Sequence, residues 1–187
     1  WRRRLYEWQT GDARHDGSIF VPLQSRLLEK RQFQASSPID MLSQLVARYP
    51  GRRINATLHP KVTYDDAETA ALTALSARYP ALSISRKPAA ALLATCDLVA
   101  TQNSSVAFEA LFWRKPTILF AGIDFHHAMA SVWRDGADAA FDQLEQRKPD
   151  FDGYLWWYLQ RQSLNAGRED FRVRSMVRLT DLGVDLL

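Results

Sequence analysis

Between Ser18 and Phe120 the chain repeats one pattern: a short apolar run, a polar turn, and a segment with helical spacing. The runs are Ser18-Ile-Phe-Val-Pro-Leu-Gln24, Ile54-Asn-Ala-Thr-Leu58, Leu82-Ser-Ile-Ser85, Leu98 to Thr101, and Pro116-Thr-Ile-Leu-Phe120. Strands that alternate with helices pair in parallel, because each helix carries the chain back to the starting edge of the sheet. Short runs rich in Val, Ile and Leu that alternate with helices suit a parallel sheet covered on both faces. The pattern therefore predicts a Rossmann-like α/β fold: a parallel sheet of about five or six strands with helices on both faces.

The helix signals fit this order. Ser37 can cap a helix whose first turn holds Pro38 and whose apolar stripe is Ile39, Leu42, Leu45 and Val46. Asp65 to Tyr79 opens with acidic residues, favourable against a helix dipole, and carries Leu72 and Leu75. Pro88 to Cys96 and Val106 to Trp113 read as shorter helices. Beyond Gly122 the strand signal stops, and Phe151 to Leu164 and Glu169 to Leu179 look helical, with Gly167 as a break. The expected organisation is an N-terminal helical or linker segment over 1–17, a Rossmann-like domain over 18–150 and a helical tail over 151–187.

Composition removes several alternatives. With 187 residues, 47% of them apolar, the chain can bury a core without disulfides. Its one cysteine, Cys96, follows an apolar run and reads as a small buried hydrophobe. A net charge of +3, from 24 basic and 21 acidic residues spread along the chain, does not make the stripe that nucleic-acid binding needs. No run reaches the roughly 20 apolar residues of a membrane span, and no signal peptide opens the chain, so a cytoplasmic location is expected. Trp1, Leu5 and Trp8 recur at helical spacing beside three arginines. That stripe suits packing on the domain or peripheral contact with an anionic inner-membrane surface.

Ligands of open parallel sheets bind beyond the carboxyl ends of the strands. The residues there are Gln24, His59, Arg86 with Lys87, Gln102 to Ser105, and Gly122 to His126. This cationic, hydroxylic and amide-bearing set suits a phosphate or nucleotide. Pro60 ends its strand and leaves His59 at the rim, where an imidazole can donate to a phosphate. A histidine bonded to a backbone carbonyl at a strand end explains His59 equally well. Asn103, Ser104 and Ser105 fall on a strand-to-helix turn, which suits anion binding, although one such residue is an ordinary helix cap. Glu109 lies one turn beyond Ser105 among apolar neighbours, where its carboxylate can accept from ribose hydroxyls. His126 and His127 are adjacent, so their side chains are expected to diverge, and no metal is expected.

Four segments resemble the capsule polysaccharide synthesis and export family of glycosyltransferases: Phe20-Val-Pro-Leu-Gln24; Leu58-His-Pro-Lys61; Gln102 to Leu111 continuing to Lys115-Pro116; and Gln162-Ser-Leu-Asn-Ala-Gly167. Members of that family transfer Kdo from CMP-Kdo during assembly of the linker that anchors bacterial capsules. The resemblance implies the C-terminal, nucleotide-binding half of a GT-B enzyme. His59, Pro60, Arg86, Gln102, Asn103, Ser104, Ser105 and Glu109 would then bind the CMP-sugar, with His59 in the catalytic role. A monophosphate donor needs no metal or other cofactor. The implied partners are the nucleotide sugar, a glycolipid or polysaccharide acceptor, the export machinery or a membrane surface, and an N-terminal GT-B half without which this fragment alone would be inactive. CMP-sialic acid and UDP-sugar donors, and a non-catalytic module, remain the alternatives. Where the family pattern places an aromatic hydroxyl after Gly-x-x-Phe, this chain has His126.

Overall fold

A computed structural model describes residues 14–184. The expected helix at Trp1, Leu5 and Trp8 lies outside the described residues. The chain divides into two compact units, one ending at Pro149 and one beginning at Asp150.

The first unit is a six-stranded sheet in the order β3-β2-β1-β4-β5-β6, with every neighbouring pair parallel. Its strands are β1 (Ile19–Pro22), β2 (Ile54–Thr57), β3 (Leu82–Ser85), β4 (Leu98–Thr101), β5 (Thr117–Leu119) and β6 (Ala130–Ser131). The connecting helices are α1 (Pro38–Arg48), α2 (Asp66–Arg78), α3 (Ala89–Leu93), α4 (Val106–Phe112), α5 (Val132–Asp135) and α6 (Ala137–Gln146). This is the expected Rossmann-like sheet. The final strand and α5 and α6 follow Gly122, where no strand had been expected.

Period-two alternation in the strands divides the core between the two faces. Ile19 and Val21 of β1 pack with Met41, Leu42 and Leu45 of α1, Leu72 of α2 and Phe141 of α6. Phe20, pointing the other way, packs with Leu93, Val99, Ala110 and Trp113 beside α3 and α4. Cys96 is fully buried on this second face, and burial pushes its thiol up to about 12. Lys115 is also fully buried, its Nζ donating to the Arg14 carbonyl at 2.8 Å. Burial holds its ammonium below the usual lysine range. This lysine enters β5 from its N-terminal end, so it braces the side of the sheet opposite the ligand rim.

Helices α1 and α2 start and stop as their residues dictate. Ser37 accepts from Asp40 N at 3.1 Å with Pro38 in the first turn, and Asp65 and Glu68 form a reciprocal capping box. Both helices end at a tyrosine followed by proline, Tyr49-Pro50 and Tyr79-Pro80, because proline cannot continue the ladder.

The loop over 23–37 is a strap laid across the C-terminal rim. Leu23 N donates to Thr57 O at 2.9 Å, and buried Leu27 N donates to Glu68 Oε1 at 2.6 Å. Further on, Gln34 bridges Ala121 antiparallel, while Ala35 N donates to Phe120 O and Gly122 N to Phe33 O. Loops this long are uncommon unless they build a site.

In the second unit, α7 (Phe151–Trp156) continues into a π-helical stretch, Trp157–Gln162, and α8 (Phe171–Asp181) follows. Tyr154, Trp157 and Tyr158 pack ring against ring with centroids 5.7–6.4 Å apart. Val173, Val177 and Leu182 are more than half exposed.

Candidate functional site

The strand order reverses between β1 and β4, since β2 lies on one side of β1 and β4 on the other. At such a switch point the two following connections leave toward opposite faces and open a crevice. By that rule the crevice is expected where the strap after β1 meets the turn after β4, between the ends of β2 and β4.

On the β2 side stands His59. Its ring is exposed, and Nδ1 accepts from Lys61 N at 3.2 Å. With Nδ1 an acceptor, the neutral imidazole carries its proton on Nε2, which is its remaining donor. The backbone beneath is fixed by His59 N donating to the Tyr64 hydroxyl at 2.9 Å. Burial raises the Tyr64 phenol above its usual range, so it stays a neutral acceptor at this bond. Pro60 is exposed beside it. Arg86, exposed after β3, interacts electrostatically with Tyr64 and so belongs to the His59 side of the crevice.

The β4 side presents Ser104 and Ser105. Ala107 is the first donor into α4, bonding Ser104 O at 3.0 Å, so the amides of Ser104 and Ser105 precede the helical ladder. Ser104 Oγ accepts from Val106 N at 3.3 Å, leaving its O–H able to donate to a ligand. Ser105 occupies the N-cap position without a side-chain capping bond, so capping does not account for its hydroxyl. Glu109, one turn further, is half-buried, and burial raises its carboxyl above the usual glutamate range.

Gln102 and Asn103 hold the wall rather than the opening. Gln102 is buried and donates from Nε2 to Ser36 O at 3.1 Å, tying the strap to β4. Asn103 N donates to Gln24 Oε1 at 3.4 Å, which places Gln24 across the floor between the two sides. Gln102 Oε1, Asn103 Oδ1, Gln34 Nε2 and Ser36 Oγ are buried without a hydrogen-bond partner. Buried polar atoms without a protein partner are unusual, and these four lie together where the strap meets β4. Sequence reasoning missed Gln34 and Ser36, which carry no periodic signal.

With β1 between them, the ends of β2 and β4 are about 10 Å apart, two strand spacings. His126 and His127 do not diverge as expected: their rings stack with centroids 4.3 Å apart and planes at 20°. The turn at this position, unlike a helix, allows adjacent side chains to lie parallel. Among the described residues no group of three His, Cys, Asp or Glu side chains could hold a metal.

Fold and rim together define a doubly wound Rossmann-like domain whose crevice opens at its switch point. No protein-family model and no curated protein sequence matches the chain. Among solved structures it is similar to KpsC of Thermosulfurimonas dismutans, a beta Kdo 2,7 transferase, with a TM-score of 0.46 and 18% identity. That match covers 63% of this chain and 38% of the other, so the chain spans well under half of that protein's length. Among the described residues no helix is long and apolar enough to cross a membrane.

Proposed function

We propose that this domain binds the donor of a glycosyltransferase, a sugar activated by CMP and most specifically Kdo, for bacterial surface polysaccharide. The observation that supports the reading is that His59, with Nε2–H left as its donor, follows β2 while the Ser104 and Ser105 hydroxyls follow β4, on either side of the switch point. The set supplies donors enough for one phosphate. A diphosphate would call for more cationic or glycine-rich support than this rim offers.

In this mechanism the bond between the sugar's anomeric carbon and the phosphate oxygen breaks, and negative charge grows on departing CMP. His59 and the serine donors meet that charge, more strongly in the transition state than in the bound donor. Glu109 accepts from the ribose hydroxyls, and Arg86 adds positive potential on the His59 side. The acceptor and the group that activates it belong to a further GT-B half, with peripheral membrane or export-complex contact at the inner membrane. The exposed apolar side chains of α8 favour a second reading, a non-catalytic module that assembles with export machinery.

His59→Ala separates the two. The donor reading expects CMP affinity to fall about tenfold or more, the scale of a lost charge-assisted bond, with the melting temperature nearly unchanged because the ring is exposed. A variant whose CMP affinity is unaltered, whatever its melting temperature, removes His59 from the site.

A further inference from the structure

Next to the crevice, beyond the ends of β5 and β6, lies a cavity of about 410 Å³. Phe33 and Trp133 stand in its wall, Gly122 and Ile123 run along it, and Asp124, His126 and Arg134 stand at its polar edge. Two features distinguish it from an incidental groove. Its aromatic residues are left partly in water, Phe33 37% and Trp133 51% exposed, although exposed aromatic surface gains by being covered. The backbone beside Trp133 is also bare: a Cβ on Gly122 would meet the indole ring at 3.6 Å.

The strap holds this arrangement. Gly122 N donates to Phe33 O at 2.9 Å, and the Arg31 guanidinium lies over the Phe33 ring at 4.8 Å. Of the two charged groups at the edge, Asp124 and Arg134, the carboxylate is a further acceptor and the guanidinium is already matched. Arg134 binds Asp135 through two bonds of 2.7 and 2.6 Å, so it does not offer a full positive charge to an acidic sugar. His126 donates from Nδ1 to the Ile123 carbonyl, which leaves Nε2 of the neutral ring as an acceptor. An uncharged planar ring bearing an N–H donor is the chemistry that fits two aromatic side chains, a bare backbone and an acceptor.

The cavity is one strand removed from the serines. Phe120 N donates to Thr101 O at 2.8 Å across the β4–β5 pair, and the rings of Phe108 in α4 and Phe125, two residues after Ile123, have centroids 5.3 Å apart. We propose that this cavity receives the base of the bound nucleotide, with Trp133 as its stacking surface and Phe33 as the opposite contact. This rests on the phosphate reading of the crevice and assigns the ligand's other end.

The test titrates the chain calorimetrically with CMP, cytidine and ribose 5-phosphate, for the wild type, Trp133→Ala and Gly122→Leu. Trp133→Ala is expected to weaken CMP and cytidine roughly tenfold, within the range measured for base stacking, and to leave ribose 5-phosphate unchanged. Gly122→Leu should act in the same direction by filling the space beside the indole, and melting curves check that both variants fold. Unchanged CMP affinity in both variants, or wild-type protein that binds ribose 5-phosphate as well as CMP, overturns the base site while the phosphate reading stands. Trp133-dependent cytidine binding without any contribution from phosphate sustains the base site and defeats the phosphate reading. Binding of none of the three defeats both.

Discussion

Glu68 joins two parts of the molecule that a sequence would treat as separate. Its carboxylate is buried, with one oxygen accepting from Asp65 N at 3.0 Å in the capping box of α2 and the other from Leu27 N at 2.6 Å in the strap. Glu68→Ala removes both bonds. The cap contributes about 1 kcal/mol. The Leu27 bond, to a charged acceptor and away from water, contributes about 1.5–3 kcal/mol, chiefly because a buried N–H is left unmatched without it. Glu68→Ala is therefore expected to cost roughly 2–4 kcal/mol in urea unfolding, with an unchanged denaturant slope. Asp65→Ala removes only the cap and should cost about 1 kcal/mol, so the difference between the variants isolates the tether. Limited trypsin digestion gives a local readout, since exposed Arg26 and Lys30 lie in the strap and should be cut faster in Glu68→Ala alone. Equal costs for the two variants, or a strap no more sensitive to trypsin, would refute the role given to Glu68.

Two further outcomes follow from buried titratable groups. Because burial raises the Glu109 carboxyl above its usual 4.5, the folded state binds the proton more tightly than the unfolded one. The stability this allows is complete below pH 4.5 and declines as pH rises through the folded value, so Glu109→Gln should be more stable than the wild type at pH 7 and equal to it in acid. Equal stabilities at both pH values would show that Glu109 is hydrated. Cys96, fully buried with its thiol pushed up to about 12, should resist iodoacetamide at pH 8 until denaturant is added. Modification of the native protein at the denatured rate would place it at the surface.

The central strands were legible because a strand covered on both faces must be apolar throughout, as Ile19-Phe-Val21 and Leu98-Val-Ala100 are. The rim residues could be read for a related reason, since each follows a strand whose end is marked by proline or a polar turn. β6 could not: Ala130 and Ser131 form only two residues of strand and carry no β-branched signal. α6 did leave a trace, Ala140, Phe141 and Leu144 on one face, which the strand-by-strand reading passed over. The strap depends on pairings between distant residues, Gln34 with Ala121 and Leu27 with Glu68, that no local pattern encodes. For the same reason Phe33 and Trp133, far apart in sequence, gave no sign that they share a cavity. Gln102 was correctly placed after its strand, but its burial against Ser36 depends on that same strap.

Calorimetric titration of the chain with CMP, and in parallel with UDP, at low and moderate salt, tests most directly whether the crevice is a single-phosphate donor site. Saturable binding of CMP in clear preference to UDP is the expected result, weakening only modestly with salt because hydrogen bonds rather than a cationic cluster hold the phosphate. Equal affinity for both nucleotides, or a preference for UDP, would contradict it.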